Sequence, residues 1–371
     1  MIKRYSLCLL GACVLTVAAT AAGRNAKNVI LFLGDAGGLS TLHAASVHGY
    51  DKPNALFIQR MPHIGLMDTS AVDSWVTDSA NGMTAIVTGE KTKNGVISQS
   101  GDAVRGQSDG KPLKTILEHA EERGLSTGVI SNMSMADATP AACYAHSNDR
   151  GTAGEIFAQV LTPRFGDGVD LVIGGGRKAI YAATEKMGLK LDAALQEKGY
   201  AVLDSVTAIP AGARRVVALV DGADFELGPV VERAIGILSR NPKGFFLMVE
   251  WDMHTSSLRR GLDRVLVMDR VIEEAARGAR ADTLIVFSAD HSFDIRLRAG
   301  KKGVPILPAE ETEMADPSKA NIRVDNGHTG EQVVVAAQGP GAERVRGFFS
   351  NTDLFHVMMA AYGWERLPAG R

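Results

Sequence analysis

The chain predicts an α/β fold with a mainly parallel sheet, on three observations. Near-continuous apolar runs recur along it, amphipathic segments of helical period lie between them, and turn-forming residues mark the junctions. Such runs suit strands buried on both faces, as in a parallel sheet covered by helices. The first run is NVILFLG at 28–34. Residues 116–123 read as a helix leading into the strand STGVIS at 126–131. DLVIG at 170–174 and VVALV at 216–220 are further strands. A helix over 230–240 precedes GFFLMVE at 244–250. A long helical pattern over 256–279 carries Leu258, Leu262, Val265, Leu266, Met268 and Ile272. TLIVFS at 283–288, an apolar run at 332–337 and a closing helix near 352–362 complete the series. No internal repeat is visible. The Gly-, Pro- and charge-rich loops at 95–110 and 299–327 read as insertions over one edge of the sheet.

Composition narrows the class. The 371 residues include 40 Lys+Arg and 42 Asp+Glu, for a net charge of −2, with 45% hydrophobic and 22% charged residues. These proportions exclude a disordered chain, a collagen-like repeat and a disulfide scaffold. The balanced charge argues against nucleic-acid binding. At the N-terminus Lys3 and Arg4 precede an uncharged apolar run from 5 to 22 that ends in small residues, the pattern of a cleaved export signal. A retained membrane anchor and lipoprotein processing at Cys13 are the lesser alternatives. Cleavage after residue 22 removes Lys3, Arg4, Cys8 and Cys13, which leaves a net charge of −4 and Cys143 alone. The mature chain, 23–371, is read as one domain, periplasmic or secreted, with no stable membrane span and no internal disulfide.

Polar groups collect where the strands end. Open α/β sheets bind ligands outside the carboxyl ends of their strands. Asp35 follows the first strand, Glu250 ends another with Asp252 and His254 close behind, and Asp290-His291 follows TLIVFS. His328 lies in a turn-like segment, DNGHTG at 325–330. A single Asp after a strand is usually a cap or turn former. Carboxylates and imidazoles recurring on one rim are the donor set of a catalytic zinc site.

Two further segments carry chemistry. In TDSANGMTA at 77–85, Ser79 sits at a helix start. It reads either as a plain N-cap or as a hydroxyl facing the positive end of a helix that suits a phosphate. Such a hydroxyl is a poor nucleophile until a base or metal lowers its pKa. In DATPAACYAHSNDR at 137–150, Thr139 is a cap or a ligand. Arg150 is a surface ion pair or a fork for two phosphate oxygens. Trp75 and Trp251 sit beside candidate site residues, and each reads either as a wall of the pocket or, preferred, as core packing.

Taken together, the segments resemble the alkaline phosphatase family. LFLGDAGG at 31–38, TDSANGMTAIVTGEKTKNG at 77–95, DATPAACYAHSNDR, SADH at 288–291, HTGEQVVVAAQGPGA at 328–342 and NTDLFHVM at 351–358 occur in the family's order. The resemblance implies a three-layer α/β/α sandwich and a site of two zinc ions and one magnesium. It implies Ser79 as nucleophile and Arg150 as phosphate clamp. Asp35 would bridge a zinc and the magnesium, Asp290 and His291 would complete that zinc, and His254 and His328 would hold the other. Thr139 would touch the magnesium, with Asp137 behind it. One region departs from the family: its Glu, Asp and His are compressed to Glu250-Trp251-Asp252-Met253-His254. If extended, positions 250, 252 and 254 share a face, with Glu250 on magnesium and Asp252 on zinc. If helical, Glu250 and His254 share a face and Glu250 becomes the zinc ligand. The extended reading is preferred.

The activity implied is hydrolysis of small phosphate monoesters through a phosphoserine, by a homodimer on family analogy. The short stretch from 292 to 327 implies an open site. The alternatives are a phosphodiesterase or phosphonate hydrolase with the same metals, which Arg150 disfavours, and a non-catalytic metal-dependent phosphate-binding protein.

Overall fold

In a computed structural model, residues 25–222, 224–308 and 320–365 are described. The export segment at 1–22 lies outside them. The first part of the chain forms β1 (Asn28–Asp35), α1 (Leu39–Tyr50), β2 (His63–Asp68), α2 (Ser79–Thr88), α3 (Ile116–Glu122), β3 (Ser126–Ser134), α4 (Ala138–Ala141) and α5 (Ala153–Ala158). The middle adds β4 (Leu171–Gly175), α6 (Arg177–Lys186), α7 (Leu191–Glu197), β5 (Ala201–Leu203), β6 (Val216–Leu219), α8 (Leu227–Leu238), β7 (Phe245–Asp252) and α9 (Leu258–Gly278). The last part gives β8 (Thr283–Ser288), β9 (Ser292–Leu297), β10 (Ile322–Thr329), β11 (Val333–Gln338), β12 (Gly347–Ser350) and α10 (Asn351–Ala361).

Ten strands form one sheet in the order β12-β2-β11-β8-β1-β7-β3-β4-β6-β5. β11 runs antiparallel to both its neighbours, and the other pairings are parallel. The central strands are buried on both faces because alternate side chains enter different cores. From β1, Val29, Leu31 and Leu33 join the core under α2, α3, α5 and α10, while Ile30 and Phe32 join the core under α1, α8 and α9. β7 divides likewise, with Phe246 and Met248 on the first side and Leu247, Val249 and Trp251 on the second. Helices on both faces of a mostly parallel sheet make the three-layer sandwich.

Several elements differ from the sequence reading. His328 is not in a turn: it lies in β10, which pairs antiparallel with β9. The Asp-Asn-Gly residues produce an irregularity in the register between Val324 and His328, with Asn326 at φ 47°, instead of a chain reversal. The apolar run at 332–337 is a strand but an antiparallel one, because it returns from this ribbon. Trp75 is 88% exposed and so has no core role, whereas Trp251 is buried against Phe225 with ring centroids 5.2 Å apart. The short strands β2, β5 and β12 lie outside the central strands and carried too few apolar residues to stand out.

Candidate active site

Three adjacent strands deliver the acids. β1 lies between β8 and β7, and its register pairs Asp35 with Asp252 and Leu33 with both Glu250 and Ser288. β7 stays extended through Asp252, so Glu250 and Asp252 emerge on one face, as the extended reading expected of these two, while His254 follows the end of the strand. Met253 continues the ladder, its N–H donating to the Asp35 carbonyl at 2.8 Å. Two carboxylates side by side on neighbouring strands repel one another. Asp35 and Asp252 therefore need positive charge between or beside them.

Histidines lie beside them and can supply that charge. Three groups bring their ligand atoms within 4.8 Å of one another: His254, His291 and His328; Asp35, Asp290 and His291; and Asp35, Asp252 and His254. In each imidazole Nδ1 already faces an oxygen. His254 Nδ1 lies 2.8 Å from Asp252 Oδ1, His328 Nδ1 3.0 Å from the Thr77 carbonyl and His291 Nδ1 3.2 Å from the Ser292 carbonyl. A proton on each Nδ1 satisfies these contacts and leaves Nε2 as the metal-binding atom. His254 Nε2 and His328 Nε2 face each other at 3.5 Å, and the His291 and His328 rings stack at 3.7 Å. Asp35 Oδ1 is buried without a hydrogen bond of good geometry, although His291 Nε2 is 3.2 Å away. Bare nitrogens turned toward one another and toward an orphaned carboxylate oxygen fit a divalent cation.

The titration behaviour has the same cause. Burial pulls His291 down, but Asp290 and Asp35 outweigh it and push it up to about 9. Burial, then the neighbouring Asp35, raises Asp290 to about 6. Burial would raise Asp35, yet the close approach of His291 and the charges of His254, His291 and His328 hold it well below the usual carboxylate range. Glu250 is raised by burial and by Asp35, and its carboxylate accepts a hydrogen bond from the Ser131 hydroxyl. Thr139, the second residue of α4, donates to Asp290 Oδ2 at 3.4 Å. Thr139 and Glu250 thus border the Asp35–Asp290 cluster with oxygen ligands, the kind magnesium takes.

Ser79 is not the N-cap. Asp78 caps α2, accepting from the Asn81 N–H at 3.2 Å, and Ser79 is the first helical residue. Its hydroxyl is therefore not spent on the helix and stands 3.2 Å from His291 Nε2. Asp78 and Asp137 also hold Arg150, whose Nη1 and Nη2 donate to them at 3.0 and 2.7 Å. α2 approaches so closely because Gly82 has no side chain: a Cβ there would lie 2.5 Å from the Asp290 carbonyl oxygen. Gly82→Ala is expected to cost about 1–3 kcal/mol in urea unfolding. If it moves Ser79 by ~1 Å, kcat falls about 100-fold. Unchanged stability and turnover would show that this approach does not position Ser79.

All ten candidate site residues lie on this rim. The sequence did not mark Ser131 and Asn132 on β3, Asp224 before α8, or Arg264 on α9. No local pattern marked Ser131, which meets Glu250 only because β3 pairs with β7 in the sheet.

Comparison with known proteins agrees. Residues 26–207 and 221–312 match the family described as Alkaline phosphatase. The chain is 30% identical to the alkaline phosphatase of Escherichia coli (strain K12), over 91% of this chain and 86% of that protein. It is 31% identical to the alkaline phosphatase of Gadus morhua over 72% of this chain and 69% of that one. The structure of alkaline phosphatase from the Antarctic bacterium TAB5 superposes with a TM-score of 0.75 at 25% identity, covering 92% of this chain and all of that one. A TAB5 mutant with magnesium bound in its M3 site gives the same TM-score at 27% identity, covering 92% of this chain and 99% of that one. With its motifs in order, its acids and histidines on one rim and this match across most of its length, the chain belongs to the alkaline phosphatase family of enzymes.

Proposed function

We propose that the enzyme hydrolyses phosphate monoesters in two steps through a phosphoserine on Ser79, with two zinc ions and one magnesium. The observation that carries this reading is the Ser79 hydroxyl at the positive end of α2, 3.2 Å from His291 Nε2 and clear of any capping role. His254 and His328 would hold one zinc, and Asp35, Asp290 and His291 the other. Asp35, Glu250 and Thr139 would hold magnesium. The TAB5 mutant, which binds magnesium, supports such a third ion. These ions supply the positive charge that activates a serine oxygen and stabilises the leaving oxygen.

The chain's own residues do the rest. Asp78 and Asp137 each engage one terminal nitrogen of the Arg150 guanidinium, so its other N–H groups present a fixed fork to the non-bridging phosphate oxygens. Ser79 Oγ attacks phosphorus in line, and the ester oxygen leaves with the alcohol. Water then attacks the phosphoserine, releasing inorganic phosphate and restoring the hydroxyl. The positive end of α2 favours the anion throughout. On this reading residues 1–22 direct the enzyme out of the cytoplasm. Acid quenching during turnover of a radiolabelled aryl phosphate should leave label on the Ser79 peptide. Label on another residue, or none during a measured burst of alcohol release, would contradict the mechanism.

A further inference from the structure

We infer that Asp252 and Arg264 form a positioning relay that sets the tautomer and direction of His254, and that Asp252 is not itself a metal ligand. The inference rests on the metal reading above and changes the role expected for Asp252 in the compressed motif.

Both oxygens of Asp252 are already engaged. Oδ1 accepts from the His254 backbone N–H at 3.0 Å and lies 2.8 Å from His254 Nδ1. Oδ2 accepts from Arg264 Nη1. Arg264 rises from the second turn of α9, is nearly buried, and also donates from Nε to Asp224 Oδ1 at 3.0 Å. Asn132 closes the ring. Its side-chain oxygen accepts from the Asp252 N–H at 2.9 Å, and its Nδ2 donates to Asp224 Oδ1 at 3.0 Å. Four chain segments (β3, the approach to α8, β7 and α9) thus fix one carboxylate.

The geometry has two consequences. A carboxylate that accepts the Nδ1 proton aims Nε2 and makes it a stronger donor. Here Nε2 points at His328 Nε2, 3.5 Å away, so the metal position lies on the side of the imidazole opposite Asp252. Arg264 also supplies the positive charge that lets Asp252 sit beside Asp35 in the sheet register without a cation directly between them. The two-residue spacing permits this, because just past the end of β7 the chain turns so that the His254 N–H and Nδ1 both meet Asp252 Oδ1.

Zinc stoichiometry and competition with a chromophoric chelator test the relay in the full-length mature enzyme. Cobalt substitution adds a ligand-field readout independent of activity. Asp252→Asn and Arg264→Met should keep the wild-type metal count at saturating zinc and the wild-type cobalt ligand field. They should bind one ion about 10–100-fold more weakly. His254→Ala should lose that ion. Loss of a whole ion in Asp252→Asn, or a cobalt spectrum altered as in His254→Ala, would overturn the inference by making Asp252 a ligand. Wild-type affinity in Arg264→Met would overturn it from the other end. If that variant does not fold, Arg264→Lys replaces it: a point charge cannot bridge Asp224 and Asp252 as a fork does, so weakened affinity is expected and wild-type affinity contradicts the relay. A wild-type enzyme that binds no zinc would instead refute the metal reading itself.

Discussion

Ser79→Ala lowers kcat for an aryl phosphate by roughly three to six orders of magnitude and leaves metal content and thermal stability near wild type. The size follows from what is removed. On the proposed mechanism the hydroxyl would form the bond to phosphorus, and it stands at the start of α2, 3.2 Å from His291 Nε2. The fold is spared because Asp78, not Ser79, caps the helix, so deleting the hydroxyl removes no capping bond. Asp35, Asp290 and His291 keep their places, so ion binding survives. A residual rate reflects phosphate held by Arg150 and attacked directly by water. The decisive control is stoichiometric: a variant that is inactive because it has lost an ion would show it by elemental analysis. Undiminished turnover would remove Ser79 from the mechanism.

Stripping the metals should be nearly as damaging to turnover and should also destabilise the fold. Asp35, Glu250, Asp290 and His291 are buried together on the rim. Buried like charges are costly, and without a cation the cluster must take up protons to limit that cost. An ion that binds only the folded chain stabilises it by about 4 kcal/mol at a thousandfold excess over its Kd. A strong chelator should therefore abolish activity and lower the unfolding midpoint together, and added zinc should restore both. Activity that persists in thoroughly stripped protein would contradict the account. Lost activity with an unchanged midpoint would place the ions elsewhere than this buried cluster.

Legibility in the sequence followed burial. The central strands β1, β7 and β8 were readable because burial on both faces leaves near-continuous apolar runs, and their ends then carried Asp35, Glu250 and Asp290 onto one rim. The long helix α9 was readable because its apolar stripe repeats over five turns. The ribbon of β9 and β10 was not, since one face is wet and its turn residues serve a bulge. His328 was therefore found as a residue but misplaced as structure. Ser79 was found by the composition around it, while its freedom from capping depends on the preceding Asp78, which a spacing argument does not rank. Arg264 and Asn132 reach Asp252 from segments 12 and 120 residues away, and no local pattern encodes such a meeting.

The central claim is that distant side chains meet around a pair of divalent cations beside Ser79. Anomalous diffraction from zinc-loaded crystals tests it most directly. The account expects two zinc peaks about 4 Å apart, one between the Nε2 atoms of His254 and His328, the other between Asp35, Asp290 and His291, with Ser79 Oγ at the second. Zinc-loaded, active crystals with no anomalous density among these residues would contradict it.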